Sequence, residues 1–350
     1  MKSDLFKKNS NNNKGIAVFS FDLEMAWAGR KSSSDLNHAE GIEQVRGIVD
    51  SLLAILIRYE ISATWATVGH LMLKENYNEW ERLKQFEPKY NWFSGNWYEG
   101  IPDLNSPLGN RYYAPDVIEK IVQCPIYQEL GCHTFSHIIV GDTATSRQLF
   151  WEELLACQKA ARFYGRDLKS FVFPRNIVGH TDLLKQAGFE CFRGLNSEWY
   201  WFGFPAELRS FKHTKFPNKL IPLVMTVGRF FDEKLRLCPP LPLARSIDDI
   251  WEIPHSMFFP PFAGVSRYIS MEDRWRRGIN GLIKVSENKR IFSIYTHPHN
   301  FLTAPSELLN AFEMICRYAS DLRDKGKLNI FTMDKVAEQL NENKLSDCIQ

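Results

Sequence analysis

Apolar residues follow two rhythms along this chain. Short runs with almost no polar interruption recur at residues 15–21 (Gly-Ile-Ala-Val-Phe-Ser-Phe), 61–68, 128–132, 170–173, 190–193, 251–253, 290–296 and 328–331. Runs of this kind read as strands covered on both faces, because a half-exposed strand would alternate apolar and polar. Between them lie segments with a helical stripe. Val45, Ile48, Val49, Leu52, Leu53 and Leu56 are spaced to share one helix face. The pattern predicts further helices over 144–163, 267–286, 306–324 and 333–341. A short one spans 180–187, with Gly188 closing it.

Two stretches break the rhythm and read as insertions. Residues 75–127 carry Trp80, Trp92, Trp97, Tyr98, Tyr112 and Tyr113 among Pro, Gly and Asn, and residues 200–250 are rich in Pro and Phe. Elsewhere strands and helices alternate, which predicts a parallel sheet with helices outside. Seven or eight such units suggest a distorted (β/α)7-8 barrel rather than a doubly wound sheet. The expected organisation is a single domain over 15–342, with loose polar tails at 1–14 and 343–350. In such barrels reacting residues sit just past the C-terminal ends of strands.

The 350 residues carry a formal net charge of only +2, which argues against a nucleic-acid partner. None of the seven Cys falls in a Cys-x-x-Cys pair, so neither a thiolate zinc site nor a redox motif is signalled, and a reducing compartment fits best. The start has no apolar signal core, and no run of about 18 apolar residues occurs. The expectation is a cytoplasmic protein without stable membrane insertion. Gly-x-Gly-x-x-Gly, Walker A and Gly-x-Ser-x-Gly patterns are missing, which disfavours nucleotide binding and serine hydrolysis. Nothing in the sequence fixes the oligomeric state. The ten Trp suit either core or stacking on sugar rings.

Against that frame, four places put ionisable residues at strand ends. Asp22 and Glu24 follow the first strand at alternate positions, so their side chains point the same way. One can bind a cation while the other takes a proton from water. Taken alone, the pair reads more simply as Asp22 capping a turn and Glu24 facing solvent. His133 and His137 follow the strand at 128–132; four apart, they share one face of a helical turn and suit a single metal ion. Cys132 beside them reads as core. Arg175, after Pro174, is placed to hold a carboxylate ionised or to lie on the surface. His297 and His299 end a late strand, as a general acid for a leaving amine or as packed histidines.

In order and placement these signals resemble the polysaccharide deacetylase family, the NodB-like proteins of carbohydrate esterase family 4. The resemblance runs from about Gly15 to about Leu340. The family's Thr-Phe-Asp-Asp motif is matched by Asp22 as catalytic base, with the metal-binding acid shifted to Glu24. Its His-Ser/Thr-x-x-His motif is matched in full by His133, Thr134 and His137. Its Arg-x-Pro-x-Gly motif keeps Pro174, but Val172 stands at the Arg position, leaving Arg175 as the nearby guanidinium. Its Leu-x-x-His motif is matched by Ile294, lining the acetyl-methyl pocket, and His297, protonating the leaving amine. Trp251-Glu252-Ile253-Pro254 resembles the stretch before the family's late helix. The fourth motif is not recognisable; the segment 196–201 stands in for it, with Trp199 or Trp201 flanking the site.

The resemblance implies one divalent metal ion, Zn²⁺ by expectation, held by Glu24, His133 and His137. It implies removal of an N-acetyl group from a carbohydrate, with a backbone N–H past Pro174 helping to hold the oxyanion. The expected substrate is a precursor in surface polysaccharide assembly. Two other readings stay open: hydrolysis of a non-sugar amide on the same barrel, and sugar binding on a decayed deacetylase scaffold. The Trp-rich stretch at 92–98 leans toward sugar stacking.

Overall fold

The computed structural model describes residues 14–28, 41–93, 95–195, 230–231, 234–235 and 238–349. Its strands are β1 (Gly15–Leu23), β2 (Thr64–Thr67), β3 (Glu129–Cys132), β4 (Ser170–Val172), β5 (Cys191–Gly194), β6 (Arg245–Ile247), β7 (Ile250–Pro254), β8 (Met257–Phe258), β9 (Ile291–Thr296) and β10 (Leu328–Ile330). The longer helices are α1 (Val45–Arg58), α2 (Pro115–Val122), α3 (Arg147–Arg162), α4 (Thr181–Gln186), α5 (Met271–Asn288), α6 (Pro305–Asp324) and α7 (Met333–Asn341). Caps explain where two of these start. The Ser146 side chain accepts from Leu149 N–H at 3.1 Å, and Ser270 and Asp273 form a capping box.

Neighbouring strands run β7-β5-β4-β3-β2-β1-β9-β8, all in parallel pairs, with β10 also parallel to β1 and the short β6 antiparallel to β7. One bent segment closes the ring. Residues 250–254 pair with β5 and residues 257–258 with β9. At the bend His255 N–H donates to Gly194 and the next N–H, of Ser256, donates to Ser293. The result is the curled, distorted (β/α) barrel that the alternation predicts. β6, β8 and the bend are too short and irregular to leave a periodic signal.

Strand parity divides the core into two. Ala17, Phe19, Phe21 and Leu23 of β1 pack outward with α1, α5 and α6, while Ile16 and Val18 point inward with Ala66, Val172, Cys191 and Ile291. The inner cluster is plugged from below by Met333, Val336, Ala337 and Leu340 of α7. Leu345 and Cys348 join it, and Ala244 N–H donates to Cys348 at 2.8 Å. Residues 344–349 are therefore part of the barrel base, not the loose tail expected there. Their apolar members are too sparse to show a stripe. No helix among the described residues is long and apolar enough to cross a membrane.

The 75–127 stretch, expected as an insertion and partly loop, has structure of its own, including α2, short helical turns at Trp80–Lys84 and Gly109–Tyr112, and a buried aromatic cluster. Trp97 is 1% exposed and Tyr90 3%. Those rings are core, so Trp97 offers no stacking surface to a sugar. Trp92 is half-buried, stacked on Tyr90 and donating its Nε1–H to Asp142 at 3.1 Å.

Candidate metal centre

Inward-facing positions at the upper ends of the strands carry the ionisable groups. Asp22 continues the inner face of β1 after Ile16, Val18 and Ser20. Glu24 follows where the backbone leaves extended geometry (φ −119°, ψ −30°). His133 follows β3, on the same parity as Glu129 and Gly131. Arg193, next to last in β5, is on the parity of the inward Cys191. Tyr295, paired with Ser20, and then His297 complete the ring from β9.

Glu24 is the hub. Its Oε1 lies 2.9 Å from His133 Nε2, 3.2 Å from His137 Nε2 and 3.6 Å from His297 Nε2. The donor atoms of Glu24, His133 and His137 all lie within 4.8 Å of one another, and all three residues are buried. Tetrahedral Zn²⁺ with ligands at about 2.0–2.1 Å needs donors roughly 3.3 Å apart, and the two Glu24–imidazole distances, 2.9 and 3.2 Å, are close to that. The chemistry of the donors fits as well. His133 Nδ1 faces the Val172 carbonyl at 2.8 Å, so its proton sits there and the Nε2 lone pair points at the site.

His133 and His137 do not share a helical turn as their spacing suggests. Residues 133–139 form an irregular bend in which Thr134 (φ 56°) and His137 (φ 59°) take left-handed backbone. That conformation, rather than the i, i+4 face of a helix, swings both imidazoles to one side. Cys132 is buried in the outer core, facing away from the site as expected.

Asp22 is paired with a residue that the motif comparison did not single out. Arg193 donates from two nitrogens to the two carboxylate oxygens, each at 2.6 Å, and further to Ser20 Oγ and Asn176 Oδ1 at 3.3 Å. Its guanidinium lies 4.0 Å from the centre of the Tyr295 ring. Burial pushes the Asp22 carboxyl up, but the charge and hydrogen bonds of Arg193 outweigh it and leave the group below its ordinary value. Burial likewise pushes Glu24 up. His297 and His137, with hydrogen bonds from His133 and His137, bring it well below the usual carboxylate range. Burial draws the His137 imidazole down, against the pull of Glu24. These directions keep the carboxylates ionised and His137 neutral, the states that metal ligation and proton abstraction need.

Arg175 does not hold Asp22. Its backbone is left-handed (φ 56°) and its guanidinium lies over the Trp92 ring at 4.8 Å. From there its charge reaches His137 and helps draw that imidazole down. The signal that could have drawn attention to Arg193 is a lone charged residue inside the apolar strand Cys-Phe-Arg-Gly; that it shares the inward side with Cys191 shows only in the assembled sheet.

Parity also corrects Ile294. It pairs with the outward Phe19 and packs in the outer core at 1% exposure, so it does not line the site; Tyr295 does. Pro174 is buried at the top of β4. Past it, the Asn176 and Ile177 N–H groups fold back onto Phe173 and Pro174, so neither is directed at an oxyanion. His297 is partly exposed, its Nε2 3.5 Å from Asp22 Oδ2 and its Nδ1 3.4 Å from the Asn300 amide nitrogen. His299 lies beside it, ring centres 5.0 Å apart. Trp199 and Trp201 lie outside the described residues.

No family model matches the chain, and no curated protein does. Solved structures do. A Mycobacterium smegmatis protein assigned as a polysaccharide deacetylase superposes with a TM-score of 0.57 at 15% identity, covering 95% of this chain and 92% of its own. One from Pseudomonas aeruginosa PAO1, assigned likewise, gives 0.54 at 13% identity, covering 94% and 92%. The chain has the fold of the polysaccharide deacetylases.

Proposed function

We propose that this chain is a divalent-metal-dependent hydrolase that removes an N-acetyl group from a carbohydrate. The observation that carries the reading is the convergence of Glu24 Oε1, His133 Nε2 and His137 Nε2 on one point beside the Arg193-bound carboxylate of Asp22. The likeness of fold to proteins assigned as polysaccharide deacetylases supports the choice of substrate class.

Glu24, His133 and His137 would hold the ion, with Zn²⁺ the best match to a carboxylate and two imidazoles. When bound, it supplies Lewis acidity toward the acetyl carbonyl and acidifies a water. Asp22, ionised and fixed by Arg193, takes the proton from the attacking water. His297 faces the same space. Its Nε2, 3.5 Å from Asp22 Oδ2, is the atom that in the imidazolium form would donate a proton to the leaving nitrogen. Arg193 holds Asp22 in one orientation and holds the negative charge there.

A non-catalytic, decayed scaffold is disfavoured by the same geometry. The guanidinium missing from its motif position is supplied by Arg193, and the donor atoms remain convergent. The test is acetate release by zinc-loaded protein from N-acetylhexosamine oligomers, O-acetyl esters and small N-acetyl amides in parallel. The expected result is chitosugar-type turnover that a chelator abolishes. Turnover of the small amides alone would move the assignment to a non-sugar substrate, and no turnover of any would remove the enzymatic reading.

A further inference from the structure

The bend carrying His133 and His137 has its middle peptide groups held from outside. Thr134 and Phe135 carbonyls accept from Gly69 and His70 N–H, each at 2.9 Å, and the Ser136 carbonyl accepts from Trp97 Nε1 at 3.1 Å. The donors of Phe135 and Ser136 go to one group. The Glu153 carboxylate, from α3, accepts Phe135 N–H and Ser136 N–H at 2.8 Å each and Ser136 Oγ–H at 2.5 Å. Tyr98 Oη–H from the insertion adds a fourth donor at 3.3 Å. Glu153 is 0% exposed. Two consecutive N–H groups aimed at one oxygen form an anion-binding concavity, here filled by the protein's own carboxylate. The two left-handed residues, Thr134 and His137, flank that clamp on either side.

We propose that Glu153 is a positioning residue for the metal centre: its carboxylate holds the strained bend in the one shape that aims both imidazoles at Glu24. The inference rests on the metal-binding reading above. It also assigns a purpose to the aromatic insertion. Tyr98 orients the carboxylate and Trp97 holds the adjoining carbonyl, so the insertion braces the metal loop from behind.

The test is zinc affinity measured by competition with a chromophoric chelator, with the visible spectrum of the cobalt-substituted protein as a second readout. Glu153→Gln keeps size but leaves one acceptor oxygen in place of two, so an amide that takes the two N–H groups turns its N–H₂ on the Ser136 and Tyr98 hydroxyls. Removing an orienting partner behind metal ligands costs about 10–100-fold in affinity. Glu153→Gln is expected to lose that much and to shift the cobalt bands while its far-ultraviolet circular dichroism stays that of wild type. Glu152→Gln, the neighbour that pairs outward with Arg82, is expected to change neither. Where Glu153→Gln does not fold, Glu153→Asp keeps the carboxyl group but shortens the reach, and is expected to weaken zinc and shift the bands in the same direction. Wild-type affinity and spectrum in a folded Glu153 variant would overturn the positioning role alone. Absence of zinc binding by wild type would overturn the metal reading and this inference together.

Discussion

Asp22 and Arg193 form a buried pair whose two halves are not equally removable. Taking away the guanidinium leaves a buried carboxylate without its counter-charge, and breaking buried pairs this way costs about 3–5 kcal/mol. Arg193→Ala is therefore expected to lose about that much in urea denaturation, and activity with it. Arg193→Lys retains charge but not the fork that meets both oxygens, and falls between. His297 is a different case, since it is partly exposed and outside the ligand set. His297→Gln is expected to bind zinc as wild type does yet release acetate about 10²–10⁴-fold more slowly, the usual worth of a general acid. Equal rates for the two proteins would remove His297 from the mechanism. At this scale the sequence announces the groups by residue type and strand-end position, and Asp22, Glu24, His133, His137 and His297 are legible that way. Arg193 and Ile294 are not. Strands covered on both faces lose their alternation, so nothing in Ile-Tyr-Thr-His or Cys-Phe-Arg-Gly says which side faces inward.

Among the elements, β2 and the turn after it hold the metal loop together with β3: Thr67 O accepts from His133 N–H, and Gly69 and His70 N–H donate to the loop's carbonyls. Gly69 is where the two touch. A Cβ there would stand 2.7 Å from Cys157 Sγ and 2.9 Å from the Phe135 ring. Gly69→Ala must therefore push on the bend that carries both imidazoles. Overpacking of this kind costs about 1–3 kcal/mol, and the variant is expected to melt lower and bind zinc less tightly, by differential scanning fluorimetry with and without the metal. A zinc-induced shift equal to that of wild type would show that the bend is set independently of this contact. Most elements are legible as apolar runs and stripes. The insertion is the exception. Its aromatic content reads as a sugar platform, yet Tyr90, Trp97 and Tyr98 are core, because a loop held in left-handed geometry needs bulk and hydrogen-bond donors behind it. Composition cannot distinguish a ring that stacks on a ligand from one that supports the loop beside it.

Over the whole molecule, chemistry and stability are kept at opposite ends of the barrel. At the base, Glu129 accepts from Thr64 Oγ1 at 2.6 Å, from Ser170 Oγ and from Asp334 N–H at 3.2 Å. Burial, with the nearby charge of Asp334, pushes its carboxyl up to about 8. A folded-state value above the unfolded one means that the native protein binds this proton more tightly. The Glu129 contribution therefore favours folding at low pH and is lost as pH rises through the window from about 4.5 to 8. Comparing wild type with Glu129→Gln by thermal denaturation across pH 5–9, the stability difference is expected to move against wild type up to about pH 8 and then level. A pH-independent difference would mean that the carboxyl is ionised throughout. The closure of the barrel by one bent segment and the plug formed by α7 with residues 345–348 are whole-chain events. They bring residues far apart in sequence into contact, which local periodicity does not record.

The central claim is that Glu24, His133 and His137 hold a single divalent cation. Anomalous diffraction at the zinc edge from zinc-soaked crystals addresses it directly. The account predicts one strong peak about 2.0–2.2 Å from a Glu24 carboxylate oxygen and from Nε2 of both His133 and His137. Zinc-soaked crystals with no peak at that point, or with the ion bound elsewhere on the chain, would contradict it.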